Sequence, residues 1–275
     1  MKQKSDSSKN KRTFGVQAIE RGCSVIDLLG SGRQSYSLRD LSKELNLPKP
    51  TVHRILSTFC HLGYVMQDDL SKEYRLGFRL VELGQVVLNG IQLRREAQPF
   101  LHNLASKVQE TVHLARLDGS EIVYLDKVEQ MHDPKGLRMV SRVGMRNYAH
   151  SCAMGKILLA FLSKMERDLV FSQKGLPRLT KNTIVDRGRF EAHLVQVKAQ
   201  GYSVDNEENE EGIKCVAAPV RNARGEVVAA ISISAPAVRM TKKRIDKAFK
   251  GEVIKTALEI SKKLGFKDEK PKERR

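Results

Sequence analysis

The chain has 275 residues, Lys+Arg 49 against Asp+Glu 32, and a formal net charge of +17. That length allows about two domains, the charge favours a polyanionic partner, nucleic acid first, and no apolar run approaches the ~20 residues of a membrane span. The basic start has no apolar stretch behind it and is not a signal peptide, while Cys23, Cys60, Cys152 and Cys215 are scattered without a CxxC, which argues for reduced thiols in a cytoplasm and against a zinc cluster or disulfide scaffold. In chain order, residues 1–13 form a flexible basic arm. A first helix follows over 16–29, with Val16, Ile19, Cys23, Ile26 and Leu29 on one stripe and Gly30 at its end.

Residues 37–75 are the most informative stretch. Ser37 suits the cap of a second helix, with Asp40 three residues on and Leu38, Leu41 and Leu45 on one face. Asn46-Leu47-Pro48 breaks the chain. A third helix starts with Pro50 at its first position, turns Val52, Ile55, Leu56, Phe59 and Leu62 inward, and stops at Gly63. Its other face carries Lys49, Thr51, His53, Arg54, Ser57 and Thr58, which are cations, donors and short hydroxyls with no acid among them. Such a face suits a recognition helix laid on DNA. Two short strands, 64–67 and 73–76, flank the polar turn 68–72, so that Lys72 and Arg75 fall on a wing. The expected unit is a winged helix-turn-helix contacting duplex DNA through Lys49, Pro50, Thr51, His53, Arg54, Ser57, Lys72 and Arg75. The competing reading is an ordinary helical hairpin with a solvated polar face.

Residues 76–93 have helical period, with Leu80, Leu83, Val87 and Ile91 spaced as one stripe beside Val81 and Leu88. A helix so apolar between two domains requires a partner, either a second copy of the chain or its own second domain. A further helix is expected over 96–108. The period then changes to two, giving strands over 111–117, 121–128 and 137–143. Helices follow over 150–162, 164–173 and 186–200, strands over 202–206, 213–221 and 227–234, and a closing helix over 244–264. A charged tail is left at 267–275. Strands and helices are grouped rather than alternating, so the second domain is expected to be α+β with a mainly antiparallel sheet.

Five segments in this order are specific together: LPKPTVHRILSTFCHLGYV, YRLGFRLVELG, HSCAMGKILLA, GYSVDNEENEEGIKCVAAPV and AAISISAP. Through them the chain resembles the IclR family of bacterial transcriptional regulators over nearly its whole length, and within it the KdgR-type branch that controls sugar-acid breakdown. The resemblance implies a winged helix-turn-helix domain over 14–77, a linker or dimerisation helix over 78–94 and a GAF-like effector-binding domain over 95–266. It further implies dimers or tetramers acting on inverted-repeat operators, and a small organic acid held by Cys152, Ala153, Met154, Asp205, Cys215, Ser232 and Ser234.

The chemistry of those residues agrees. A helix N-terminus at 152–154 offers free N–H groups to a carboxylate. Ser232 and Ser234 alternate on a strand and share a face. Asp205 suits a ligand hydroxyl, which favours a hydroxylated sugar acid; in the blander alternative it only caps a turn. The acidic run 207–211 reads as a solvated loop, and no structural metal or cofactor is expected. The rival functional class is a thiol enzyme using Cys152 or Cys215 with His150, but no orienting acid, GxSxG, HExxH or phosphate-binding loop accompanies it.

Overall fold

The computed structural model of the protein describes residues 15–90, 92–129 and 139–267. The expected arm (1–13), and all of the expected tail but Lys267, lie outside the described residues. The chain divides into two units between Leu88 and Asn89.

The first unit contains α1 (Gln17–Leu29), α2 (Leu38–Glu44), α3 (Lys49–His61), β1 (Val65–Gln67), β2 (Tyr74–Leu76) and most of α4 (Arg79–Gly90). Local chemistry sets its boundaries. The Ser37 hydroxyl accepts the Asp40 N–H at 3.1 Å and caps α2. Asn46 takes a positive φ of 51°, and the Leu47 N–H returns to Ser42 O at 3.1 Å. At the end of α3, Gly63 has φ 77° and the Tyr64 N–H returns to Phe59 O at 2.9 Å. Both helices therefore close through the same left-handed stop. Strands β1 and β2 pair antiparallel, with Val65 opposite Leu76, and Tyr36 bridges to Tyr74 from the other side. The core is Val25, Leu29, Tyr36, Leu41, Val52, Leu56, Val65 and Tyr74.

Three expectations are corrected here. Helix α1 turns Gly22, Val25 and Leu29 inward, leaving Val16 and Ile19 each 64% exposed and Cys23 exposed. The reason is Gly22: a Cβ there would stand 3.1 Å from the Phe59 ring, so the missing side chain lets α3 press against α1. Leu62 is exposed because it caps α3 rather than continuing its inward face. Pro50 is the second residue of α3, Lys49 being the first.

Within the helix expected over 76–93, α4 covers Arg79–Gly90 and α5 (Gln92–Val108) takes in its last residues. Ile91 lies outside the described residues. On α4, Val81, Leu83, Val86 and Val87 are exposed.

The second unit is built on one antiparallel six-stranded sheet of order β5-β4-β3-β8-β7-β6. Its strands are β3 (Thr111–Asp118), β4 (Glu121–Val128), β5 (Arg146–Tyr148), β6 (Ser203–Asn206), β7 (Ile213–Arg221) and β8 (Val227–Pro236). Helix α5 and the closing helix cover one face with Leu101, Leu104, Phe249, Val253 and Ile260 against Ile231 and Ile233. The other face is covered by α6 (Ala153–Ala160), α7 (Lys164–Lys174) and α8 (Arg187–Gln200). The closing helix is interrupted: α9 (Lys242–Arg244) passes through a π turn at Ile245–Phe249 into α10 (Lys250–Lys263).

The strand expected over 137–143 is absent from 139–143; residues 137 and 138 lie outside the described residues. The backbone there is held at points instead of by a ladder. The Lys127 ammonium donates to Met139 O at 2.9 Å and Ser141 O at 2.7 Å, and the Gly144 N–H donates to Tyr124 O at 2.8 Å. The edge strand is β5, three residues further on.

Candidate functional site

Two surfaces carry the chemistry, one in each unit. On α3, period 3.6 buries Val52 and Leu56 and leaves Lys49, Pro50, His53, Arg54, Ser57 and Thr58 exposed. Thr51 is half-buried, and Lys72 and Arg75 are exposed on the wing. Helix α3 thus presents cations, donors and hydroxyls along its open side, the arrangement a helix needs to meet base edges and phosphates. Among the described residues no acid interrupts that face.

In the second unit, Cys152, Ala153, Met154, Asp205, Cys215, Ser232 and Ser234 all line one cavity. The strand register makes this possible. Asp205 pairs with Cys215, and Cys215 with Ser234, so three residues distant in sequence stand in one row across β6, β7 and β8. Alternation on β8 sends Ile231 and Ile233 to the α10 side and Ser232 and Ser234 to the α6 side. Helix α6 brings its N-terminus over this row. The Ser203 hydroxyl ties it down by donating to Ala153 O at 2.5 Å, and Gly155 lets α6 pack against the Ala149 backbone that leads into it. A Cβ on Gly155 would stand 2.1 Å from Ala149 O. The N-cap residue Cys152 is extended and its side chain makes no capping bond.

Sequence reading missed several contributors. His113 stands opposite Ser232 on β3. Its Nδ1 lies 3.3 Å from Ser234 Oγ and its Nε2 lies 2.9 Å from Ser141 Oγ. Burial, aided by the Lys127 ammonium, pushes its pKa down to about 3, so the ring is neutral. Tyr124 and Asn147 add a phenol and an amide to the wall, and Met139–Ser141, Met145, Asn209, Glu210 and Ile213 complete the described lining. A histidine on a period-two strand gives no sequence signal of this kind, because only the pairing partner shows where it points.

Asp205 belongs both to a turn and to the cavity wall. It accepts the Glu208 N–H at 2.7 Å, which caps the turn, and it lines the cavity. Burial is the main cause that raises its pKa to about 7. The acidic run is not a solvated loop throughout. Glu208 is 6% exposed and meets the fully buried Lys156 at 2.6 Å, while Ser151 Oγ donates to Asn209 Oδ1 at 2.9 Å.

The thiol pair is unsuited to nucleophilic work. Burial pushes Cys152 up to about 12 and Cys215 well above the usual thiol range. Cys152 Sγ donates to Tyr148 O, and His150 Nε2 is engaged with Pro177 O at 2.9 Å. Among the described residues there is no group of three His, Cys, Asp or Glu side chains able to hold a metal, and no helix is long and apolar enough to cross a membrane.

Comparison with known proteins agrees with this division. Residues 18–69 match the IclR helix-turn-helix domain, and residues 85–262 match the IclR C-terminal domain of bacterial transcriptional regulators. The HTH-type transcriptional regulator KdgR of Escherichia coli is 36% identical over 94% of this chain and 97% of its own length. The regulator XynR of the same organism is 34% identical over 91% of this chain and 98% of its own. The crystal structure of the Thermotoga maritima IclR superposes with a TM-score of 0.74 at 32% identity, covering 90% of this chain and 98% of that one. The chain belongs to the IclR family of bacterial transcriptional regulators.

Proposed function

We propose that this regulator is a cytoplasmic repressor of a catabolic operon, and that a small organic acid in the α6 cavity sets its grip on an inverted-repeat operator. A sugar acid of the 2-keto-3-deoxy class is the favoured effector. The observation that carries the reading is the convergence of seven residues from α6, β6, β7 and β8 on one cavity, in a chain whose other unit exposes a cationic recognition face. The free N–H groups at the start of α6 would seat the carboxylate. Ser232, Ser234 and the Tyr124 hydroxyl would serve the ligand's hydroxyl and keto oxygens. On DNA, Lys49, Pro50, Thr51, His53, Arg54 and Ser57 would meet the major groove, with Lys72 and Arg75 on the adjacent backbone.

The apolar exposure of Val81, Val86 and Val87 on α4 supports a homodimer, or a tetramer of paired dimers, with residues 78–94 as linker. Effector and operator would then act through one equilibrium and weaken each other by the same factor. The thiol-enzyme alternative loses its footing with both thiols protonated at neutral pH. A direct test is displacement of the full-length protein from its own promoter by a panel of sugar acids and aromatic acids. Release by one sugar acid is the expected result, and indifference to the whole panel would refute the effector assignment.

A further inference from the structure

The α6 cavity has an unexpected charge balance for a site that takes an acid. Its described wall contains the carboxyls of Asp205 and Glu210, and neither lysine nor arginine. Glu210 is exposed to water, whereas Asp205 is 2% exposed. The buried cation nearby, Lys156, is already engaged: its ammonium lies 2.6 Å from Glu208 Oε1 and 2.6 Å from Val204 O.

The charged and titratable groups around Asp205 are Lys156 of α6 with Cys152 at its cap, Tyr124 of β4, Cys215 of β7, the neutral His113 of β3 across the cavity and Glu208 of its own turn. Burial keeps the two thiols and the phenol protonated. The set therefore holds one ammonium against two carboxylates, and Lys156 pairs with Glu208. An incoming carboxylate at the start of α6 would be a third. Like charges in one desolvated cavity cannot all persist, and the uncompensated one is Asp205.

Resting on the reading that this cavity takes an organic acid, we propose that Asp205 captures one proton from solvent as the anion enters, and faces the ligand as a neutral carboxylic acid donating its O–H to a ligand oxygen. The step is COO⁻ plus H⁺ giving COOH, and nothing else is consumed. Asp205 is thereby a specificity-determining residue. The cavity selects a monocarboxylate with a hydroxyl or keto oxygen within reach of that O–H. It discriminates against dicarboxylates, whose second charge meets no lysine or arginine among the described lining residues.

The sign of the pH effect follows. Where free Asp205 is ionised, binding requires a proton, so affinity for the anion falls by about tenfold for each pH unit of rise. Where it is already protonated, the dependence vanishes. The test uses the full-length protein and 2-keto-3-deoxygluconate, titrated calorimetrically from about pH 6 to about pH 8.5 in buffers of different ionisation heat. Expected are a buffer-dependent heat corresponding to one proton taken up at the alkaline end and a matching loss of affinity, both absent in Asp205→Asn. Binding by the wild type without proton uptake at the alkaline end overturns the proposal, as does undiminished uptake in Asp205→Asn.

If the probe does not bind, the effector class is wrong, and a ligand-free measurement still decides the role of Asp205. Its ¹³C carboxyl resonance in the full chain, assigned by its loss in Asp205→Asn, should titrate near 7. A midpoint above about 8.5 overturns the proposal, because Asp205 would then hold its proton before the anion enters.

Discussion

Lys156 and Glu208 meet inside the second unit, Nζ to Oε1 at 2.6 Å, across 52 residues of sequence and with the lysine side chain wholly removed from solvent. The pair ties the start of α6 to the turn after β6, the two segments that bring Cys152–Met154 and Asp205 to the cavity. Removing one partner strands the other charge in the interior. Lys156→Met should therefore destabilise the protein by about 3–5 kcal/mol, while the double change Lys156→Met with Glu208→Gln restores most of the loss. Chemical denaturation of the three proteins measures this, and an unchanged midpoint in the single variant would show that the pair contributes nothing.

His113 gives the protein an acid limit. Its folded pKa of about 3 lies below the unfolded value near 6.5. The unfolded chain thus binds more protons between those limits, and stability is full above about 6.5 and falls as pH drops toward 3, by up to about 1.4 kcal/mol per pH unit from this group. Asp205, raised to about 7, acts in the opposite sense over part of that window. The isolating measurement is the difference in unfolding free energy between wild type and His113→Gln as a function of pH. That difference should shrink as pH falls below 6.5.

Arg54 is exposed on the open face of α3. If it reads a base, Arg54→Ala weakens specific operator binding by about 1–3 kcal/mol and leaves binding to random DNA little changed. Equal losses on both DNAs in a competition assay would make it a phosphate contact instead. Effector affinity of the full-length variant in the absence of DNA should stay at the wild-type value.

Ser232 and Ser234 lie 3.4 Å apart, oxygen to oxygen, and both are buried. Their joint replacement by alanine removes two hydroxyls from the cavity wall without adding volume. Operator affinity should persist while the effector loses roughly 1–3 kcal/mol of binding, comparable to hydroxyl-type hydrogen bonds left unmade. A wild-type effector response in an operator-release assay would take both serines out of the site.

Gly155 is the one position of α6 where any side chain would strike backbone, 2.1 Å from Ala149 O. Gly155→Ala should displace the start of α6 from the Ala149 backbone, lower stability by about 1–3 kcal/mol and impair effector binding together with it. Gly84→Ala on α4, where nothing lies within 4 Å of the added carbon, is the control that should be neutral or mildly stabilising.

Local sequence alone determined the helix-turn-helix and its wing. The cap at Ser37, the stops at Asn46 and Gly63, and the cationic face of α3 are properties of a few consecutive residues whose backbone geometry sets the period. The same holds for the shared face of Ser232 and Ser234, since alternation on a strand needs no knowledge of its neighbours. Strand pairing decided the rest. Only the register that sets Asp205 beside Cys215, Cys215 beside Ser234, and His113 beside Ser232 turns these residues into one wall. Likewise, Glu208 looks like one of several solvated acids until Lys156 is found 2.6 Å away, and Gly22 carries no apolar signal though α3 packs against it. Periodicity within an element follows from its own dihedral angles, whereas the partner of a buried charge, or the line along which two helices touch, depends on residues far away in the chain.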